Sequence, residues 1–488
     1  MASKPTVMLV ASEYEGLVKT GGLADVARAL PAALKAAGVN VKVLVPYYRK
    51  LFDRNPEVLL SSLNVPVNLN DEYGCAVRYI NDHGVDVYLL EHHRFYDRDG
   101  IYDDGRWPYD DNPLRFALLS KAAFALCKAL NFRPDILHAH DWQTALVPYY
   151  LKRHFENDAF FHATKSVFNV HNGAYQGKCN AQWLAPIGID GRDFIAEHFE
   201  DYGDINLMKG AIVFADQVIA VSPGYRDELM QESTSHGLWQ TFQAHAHKVT
   251  GILNGCDYGL WNPENDTAIA ATYSADDLNG KALCKQTLQQ QSGLHVTADR
   301  PLFGLVSRLT DQKGLHYLIP ALHDFLAQPI QLVVLGSGDP HFANQLRHLA
   351  ATHPGQVHFT EGYSEDLSHQ IEAGADFFLM PSLFEPCGLN QIYSMRYGTL
   401  PIVRNTGGLR DTVVPLAADH HNIDLATGIG FDSPNIEATR MALGQALRLY
   451  SLHPEMYKQV QQNAMAQRFE WESAAQDYIN TFKHLMVH

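Results

Sequence analysis

Residues 380–412 read MPSLFEPCGLNQIYSMRYGTLPIVRNTGGLRDT. The apolar run Asp376-Phe377-Phe378-Leu379-Met380 leads into this stretch and stops at Pro381, as a buried parallel strand does. Glu385-Pro386-Cys387-Gly388-Leu389 follows, then helical spacing through Ile392, Met395 and Arg396. A second apolar run, Leu400 to Val403, leads to Thr406-Gly407-Gly408. Two strand-to-helix junctions therefore carry glycine turns, and the first also carries an acid. A helix start offers unpaired backbone N–H groups and the positive end of a dipole, both suited to phosphate. Glu385 repels phosphate and accepts hydrogen bonds from hydroxyls instead. A phosphate seat beside a hydroxyl reader suggests a sugar nucleotide as ligand.

The same rhythm continues upstream. Strands are expected at Pro301 to Ser307, at Gln331 to Leu335 before Gly336-Ser337-Gly338, and at Val357 to Thr360 before Glu361-Gly362-Tyr363. The first of them exits through Arg308 to Lys313-Gly314. Arg grips phosphate oxygens with paired donors and Lys adds a compact charge, so one loop can bring both to a diphosphate. Taken alone, the two also fit a solvated surface pair. Gly336-Ser337-Gly338 is a weak fragment of a dinucleotide fingerprint, and no acid is placed to bind a ribose as that motif requires, so a nicotinamide cofactor is not expected.

The first half repeats the pattern. The strand Thr6 to Ala11 runs into Lys19-Thr20-Gly21-Gly22-Leu23-Ala24-Asp25, after which Leu23, Val26, Ala27, Leu30, Ala33 and Leu34 keep helical spacing. Lys19 before Gly21 and Gly22 can reach an anion while the glycines let it approach the backbone, although a plain strand-to-helix turn also fits. Leu114 to Leu130 reads as an amphipathic helix, and residues 52–112 as antiparallel or loop insertions. Strands at Val39 to Val45, Ile136 to His140, Ser166 to Val170 and Gln217 to Val221 place His138, His140, Asp141, His171 and Ser222 at strand carboxyl ends, where doubly wound sheets bind ligands. His138 and His140 share a strand face, but no further ligand stands at metal spacing, so no metal is expected. Asp141 is the better candidate for reading sugar hydroxyls or easing a positive transition state. A lone loop histidine is more often structural; His171 gains interest by joining Asp141 and Lys19 on one sheet edge.

Around residues 245–262 the alternation resets, with Lys248 to Leu253 as the next strand. The expected organisation is a Rossmann-like domain over 1–247, a second over 248–465, and a helix over 466–488 whose stripe of Tyr478, Ile479, Phe482, Leu485 and Met486 packs back on the first. The fold class is α/β, two doubly wound domains across a deep cleft. The chain has 488 residues and a net charge of −16, which argues against nucleic acid as partner. The six cysteines show no close pairing and read as free thiols of a reducing compartment. The N-terminal residues enter a strand too soon for a targeting segment, and no apolar run reaches the roughly 20 residues that cross a bilayer. A cytoplasmic location and no membrane partner are expected.

Together KTGGLADV (19–26), His138-Ala139-His140-Asp141-Trp142, Ser307-Arg308-Leu309 with Gln312-Lys313-Gly314, EPCGL (385–389) and Thr406-Gly407-Gly408-Leu409 resemble the bacterial glycogen synthases and the plastid starch synthases. The likeness runs from residue 6 to Trp471-Glu472. It implies the GT-B arrangement of two Rossmann-like domains, retention of configuration, ADP-glucose as donor substrate, no cofactor, and the non-reducing end of an α-1,4-glucan (glycogen) as acceptor. By motif, Arg308 and Lys313 take the diphosphate, Glu385 holds glucose hydroxyls, and the backbone of Cys387, Gly388 and Leu389, with Thr406, Gly407 and Gly408, assists. Lys19, Gly21, Gly22 and Asp25 approach the donor from the first domain, Asp141 and His171 line the glucose pocket, Tyr363 stacks on adenine, and Asn254 is a donor-site position. Cys256 stands where the family usually has an aliphatic residue, and Asn390 where Thr or Ser is common. A UDP-glucose enzyme, another acceptor, or a silent glucan- or nucleotide-binding protein are the alternatives.

Overall fold

The computed structural model describes residues 4–487; the outermost bounds of the expected domains, residues 1–3 and 488, lie outside them. The chain divides into two compact units. One comprises Met1–Gly255 with Trp471–His488, the other Cys256–Glu470.

Among the described residues, the first unit is built on a nine-stranded sheet. Thr6–Val10 lies at its middle, between Asn40–Pro46 on one side and Ile136–His140 on the other, all parallel. From there the chain works outward through Asn40–Pro46 and Val85–Glu91 to an antiparallel hairpin, Glu57–Pro66 with Glu72–Asp82. It then returns to the other side through Ile136–His140, Lys165–Val170 and Gln217–Ala220. The sheet reverses direction between Thr6–Val10 and Ile136–His140, a topological switch point.

Two expectations differ here. The helix Asn112–Ala129 is buried on nearly every face rather than amphipathic, because it is covered by strands of the sheet on one side and by Leu146–Arg153 and the Trp142–Thr144 turn on the other. Val249–Gly251 belongs to the first sheet, not to the second unit, because it pairs in parallel with Gln217–Ala220 as an edge strand. The helix Trp471–Val487 buries Tyr478, Ile479 and Phe482 against Val26, Leu30 and Leu34 of the helix Gly22–Ala36.

The second unit carries a six-stranded parallel sheet in the order Val357–Glu361, Gln331–Gly338, Leu302–Leu309, Phe377–Met380, Leu400–Arg404, Ile429–Phe431. The chain leaves Leu302–Leu309 in one direction and comes back on its other side at Phe377–Met380, so this sheet also switches at its middle. Gly336 and Gly338 prolong their strand beyond the expected end at Leu335 and run beside Ser307 and Leu309. The six cysteines are free thiols, five of them buried. No described helix is long and apolar enough to cross a membrane.

Candidate active site

In the second unit, the residues singled out by sequence gather at the switch point. Leu302–Leu309 ends in exposed Arg308, followed by the short turn Asp311–Lys313. The chain then reverses at Gly314, which has φ +71°; a Cβ there would stand 1.9 Å from the Pro381 carbonyl oxygen. Only glycine lets the two loops approach so closely. The contact is reinforced by Leu383 N–H donating to the Gln312 carbonyl at 2.8 Å and by the Gln312 amide donating to the Phe384 carbonyl at 3.2 Å. Arg404 Nε donates to the Ser382 carbonyl at 2.9 Å and its Nη2 to that of Leu383, fixing the loop from the neighbouring strand.

These contacts bring Lys313 Nζ to 2.6 Å from Glu385 Oε2, with Ser382 Oγ donating to the same oxygen at 2.8 Å. Glu385 is buried and Lys313 half-buried. Arg308 reaches Gln312 only at 3.5 Å. The backbone beyond Glu385 is held by Gln391, whose amide donates to the carbonyls of Cys387 and Gly388 at 3.0 and 3.1 Å. Gly408 N–H donates to the Glu385 carbonyl at 3.0 Å, and a Cβ at Gly408 would sit 2.1 Å from the Cys387 carbonyl oxygen. Thr406 and Gly407 therefore stand beside the Glu385 loop. The helices that follow, Asn390–Arg396 and Gly407–Thr412, are only 7 and 6 residues long, so they offer local N–H groups rather than a long aligned dipole. Asn390 Nδ2 donates to the Val306 carbonyl at 3.0 Å and ties its helix to the strand bearing Arg308. Tyr363, after Gly362 at the end of Val357–Glu361, is 78% exposed.

The first unit shows a different chemistry at its own switch point. Lys19 Nζ lies 2.6 Å from Asp25 Oδ1. A Cβ placed on Gly21 or Gly22 meets nothing within 4 Å. Asp141 follows Ile136–His140 in a left-handed backbone conformation, φ +56°, uncommon for a residue with a side chain. Its Oδ1 accepts from the N–H of His171 at 2.7 Å and, at 3.4 Å, from that of Asn172. The carboxylate thus fixes the backbone of the next strand end. Burial pushes the Asp141 carboxyl up to about 7 despite these N–H groups, with Glu13 adding repulsion. The histidines form a file: His171 Nε2 to His140 Nδ1 at 2.9 Å, the His140 ring 4.2 Å from that of His138 at a 41° tilt, and His138 Nε2 to Asn169 Oδ1 at 2.9 Å. Asn169 Nδ2 donates to the Tyr478 hydroxyl of the last helix at 2.5 Å. Burial lowers His171 to about 3 and His138 to about 4, so the file is uncharged at neutral pH. Among the described residues, no group of three or more His, Cys, Asp or Glu side chains is placed to hold a metal ion. Asn254 is buried near the end of the unit, its Oδ1 without a hydrogen-bond partner.

Sequence reasoning passed over Glu13. Its buried carboxylate lies under the Lys19 turn, and no motif marks a glutamate three residues beyond a strand.

The whole chain has relatives with known names. Residues 6–244 match the family model described as starch synthase catalytic domain, and residues 288–467 match glycosyl transferases group 1. The glycogen synthase of Aeromonas salmonicida is 45% identical over 491 residues, covering 100% of both chains. That of Photobacterium profundum is 43% identical, over 98% of this chain and 94% of its own. Among solved structures, the catalytic domain of starch synthase IV from Arabidopsis thaliana, bound to ADP and acarbose, superposes with a TM-score of 0.92 at 32% identity, covering 100% of each.

Proposed function

The chain belongs to the glycogen synthase and starch synthase family of glycosyltransferases, and we propose that it moves glucose from ADP-glucose to the non-reducing end of an α-1,4-glucan, with retention of configuration. One observation carries the reading: Lys313 and Glu385, an anion binder and a hydroxyl reader, meet at 2.6 Å at the switch point of the second sheet, with Arg308 on the same loop. Each of these groups suits one part of a nucleoside diphosphate sugar.

In this reading Arg308 and Lys313 take the diphosphate and Glu385 the glucose hydroxyls, while the backbone of Cys387, Gly388 and Leu389, with Thr406, Gly407 and Gly408, lines the phosphate side. Tyr363 offers an exposed ring to the adenine, and the plant relative crystallised with ADP supports that choice of base. Lys19, Gly21, Gly22 and Asp25 approach the donor, Asn254 is a further donor-site position, and Asp141 and His171 line the glucose pocket. As the bond from the anomeric carbon to the phosphate oxygen breaks, negative charge grows on ADP and positive charge on the ring. Arg308 and Lys313 stabilise the first. The acceptor hydroxyl attacks the anomeric carbon from the face that ADP leaves, and its proton passes to a departing phosphate oxygen. Asp141 has one carboxylate oxygen committed to the His171 and Asn172 N–H groups, which supports a role in shaping the pocket rather than as a covalent nucleophile. Six free thiols suit a reducing compartment, which supports the cytoplasm as the location.

The test is side-by-side transfer to glycogen from ADP-glucose and UDP-glucose. ADP release that depends on glycogen, with UDP-glucose much slower, is the expected result. Faster turnover of UDP-glucose overturns the donor assignment, and binding without turnover of either makes the protein a silent binder.

A further inference from the structure

We propose that Glu13 is the positioning residue of the Lys19 turn, acting as an anionic anchor from beneath it and never touching substrate itself. Every polar contact of its carboxylate is with a donor. Oε2 accepts from Thr20 N–H at 2.7 Å and Gly21 N–H at 3.2 Å. Oε1 accepts from Thr20 Oγ1 at 2.6 Å and from the Tyr102 hydroxyl at 2.6 Å. Ser12 Oγ lies 2.7 Å from that hydroxyl and, since the Tyr102 proton is directed to Glu13, donates to it.

Four donors on two oxygens fill the acceptor capacity that an ionised carboxylate has and an amide lacks. Thr20 is exposed and a Cβ at Gly21 or Gly22 would meet nothing within 4 Å, so between buried Val18 and Leu23 the turn is held chiefly by these hydrogen bonds. Glu13 is buried, and Tyr102 ties it to the segment that leads into the helix Asn112–Ala129. The turn carries Lys19, whose ammonium is set by Asp25 on one side and by the backbone course from Thr20 to Gly22 on the other. The anchor thus determines where Lys19 and the Gly21–Gly22 backbone meet a ligand. This inference rests on the donor reading above for its kinetic arm and stands without it for its structural arm.

The discriminating variant is Glu13→Gln, which keeps shape and volume but turns an N–H₂ toward two of the four donors. Losing hydrogen bonds to a charged group amounts to roughly tenfold each, so kcat/KM for ADP-glucose falls on the order of 10²-fold in Glu13→Gln. Tyr102→Phe and Thr20→Val, each removing one donor, fall about tenfold. In the double variant Thr20→Val with Glu13→Gln the two losses do not multiply, because both act through one carboxylate. Amide hydrogen exchange on the full chain reads the anchor directly: the peptide containing Thr20 and Gly21 exchanges faster in Glu13→Gln than in wild type. A Glu13→Gln enzyme with wild-type kcat/KM, multiplicative losses, or unchanged exchange at Thr20 and Gly21 overturns the proposal. A lower melting temperature with unchanged kcat/KM also overturns it, since that is what a merely structural group gives. Should Glu13→Gln not fold, Tyr102→Phe and Thr20→Val carry the same test. Wild-type protein that transfers no glucose from ADP-glucose counts against the function reading instead, and the exchange arm then decides this one.

Discussion

Lys313→Met separates two tasks of one ammonium, the ion pair with Glu385 and the proposed contact with the diphosphate. Glu385 Oε2 has two donors, Lys313 Nζ at 2.6 Å and Ser382 Oγ at 2.8 Å, and the paired side chains are 18% and 10% exposed. Methionine keeps most of the side-chain volume and removes the charge, leaving a buried carboxylate with one hydroxyl. Breaking a fully buried pair by removing one partner is worth 3–5 kcal/mol, and partial exposure here lowers that to about 2–3 kcal/mol. For a unit of this size the melting temperature then falls by roughly 4–10 °C. Turnover falls for another reason, the loss of a cation from the departing diphosphate, which is on the order of 10²–10³ in kcat by analogy with a lost oxyanion donor. The double variant Lys313→Met with Glu385→Gln regains stability, because no uncompensated charge remains, while turnover stays low. Melting is followed by circular dichroism and turnover by ADP release at saturating ADP-glucose and glycogen. A Lys313→Met kcat within about threefold of wild type, roughly 0.7 kcal/mol of barrier, refutes the catalytic assignment. A double variant no more stable than the single one refutes the account of the pair.

Two further outcomes follow from the same coordinates. Burial raises Asp141 to about 7 in the folded protein against about 3.9 in the unfolded chain, so the native state binds the extra proton between those values. Its contribution to stability is therefore full at about pH 4 and is lost as the pH rises through about 7; urea titrations across that window show the slope in wild type and not in Asp141→Asn, and an equal slope in both rules it out. Gly408→Ala places a methyl group 2.1 Å from the Cys387 carbonyl oxygen, forcing the Glu385 loop away from Gly408. Displacing a substrate loop by about 1 Å is worth on the order of 10²-fold, so kcat/KM falls by that amount in the ADP-release assay, and an enzyme within about threefold of wild type contradicts it.

The parallel strands of the second unit were legible because they are short apolar runs broken by glycine, proline or a charge at the point where the sheet ends. Their carboxyl ends then located Arg308, Lys313 and Glu385 on one edge before any coordinates. The helix Asn112–Ala129 is not amphipathic because its apolar residues fall on every side, as they do in a helix buried all round. Periodicity does not reveal that Arg115, Ser120 and Lys121 are buried along with the apolar residues, with Arg115 donating to the carbonyls of Phe95 and Ile101. Val249–Gly251 was misplaced because three residues carry no pattern of their own; their partner strand, more than thirty positions earlier, decides the sheet. Glu13 left no trace, since its donors are two backbone N–H groups, the hydroxyl of Thr20 and a tyrosine 89 positions away, a set that no motif spells out.

The two switch points differ in sign, and the difference bears on the chemistry proposed. The second unit presents Arg308 and Lys313, one of them exposed and the other paired, on the loop after its central strand. In the first unit Asp25 pairs with Lys19, Glu13 lies under the Lys19 turn, and burial holds His138 and His171 neutral. A breaking glycosyl–phosphate bond needs cations for the leaving group and anions or dipoles for the ring. Burial, which raises Asp141 to about 7, limits the negative charge that this side chain carries at neutral pH. The neutral histidines act in the other direction: an imidazolium at His171 would offset whatever negative charge Asp141 carries, and burial prevents it.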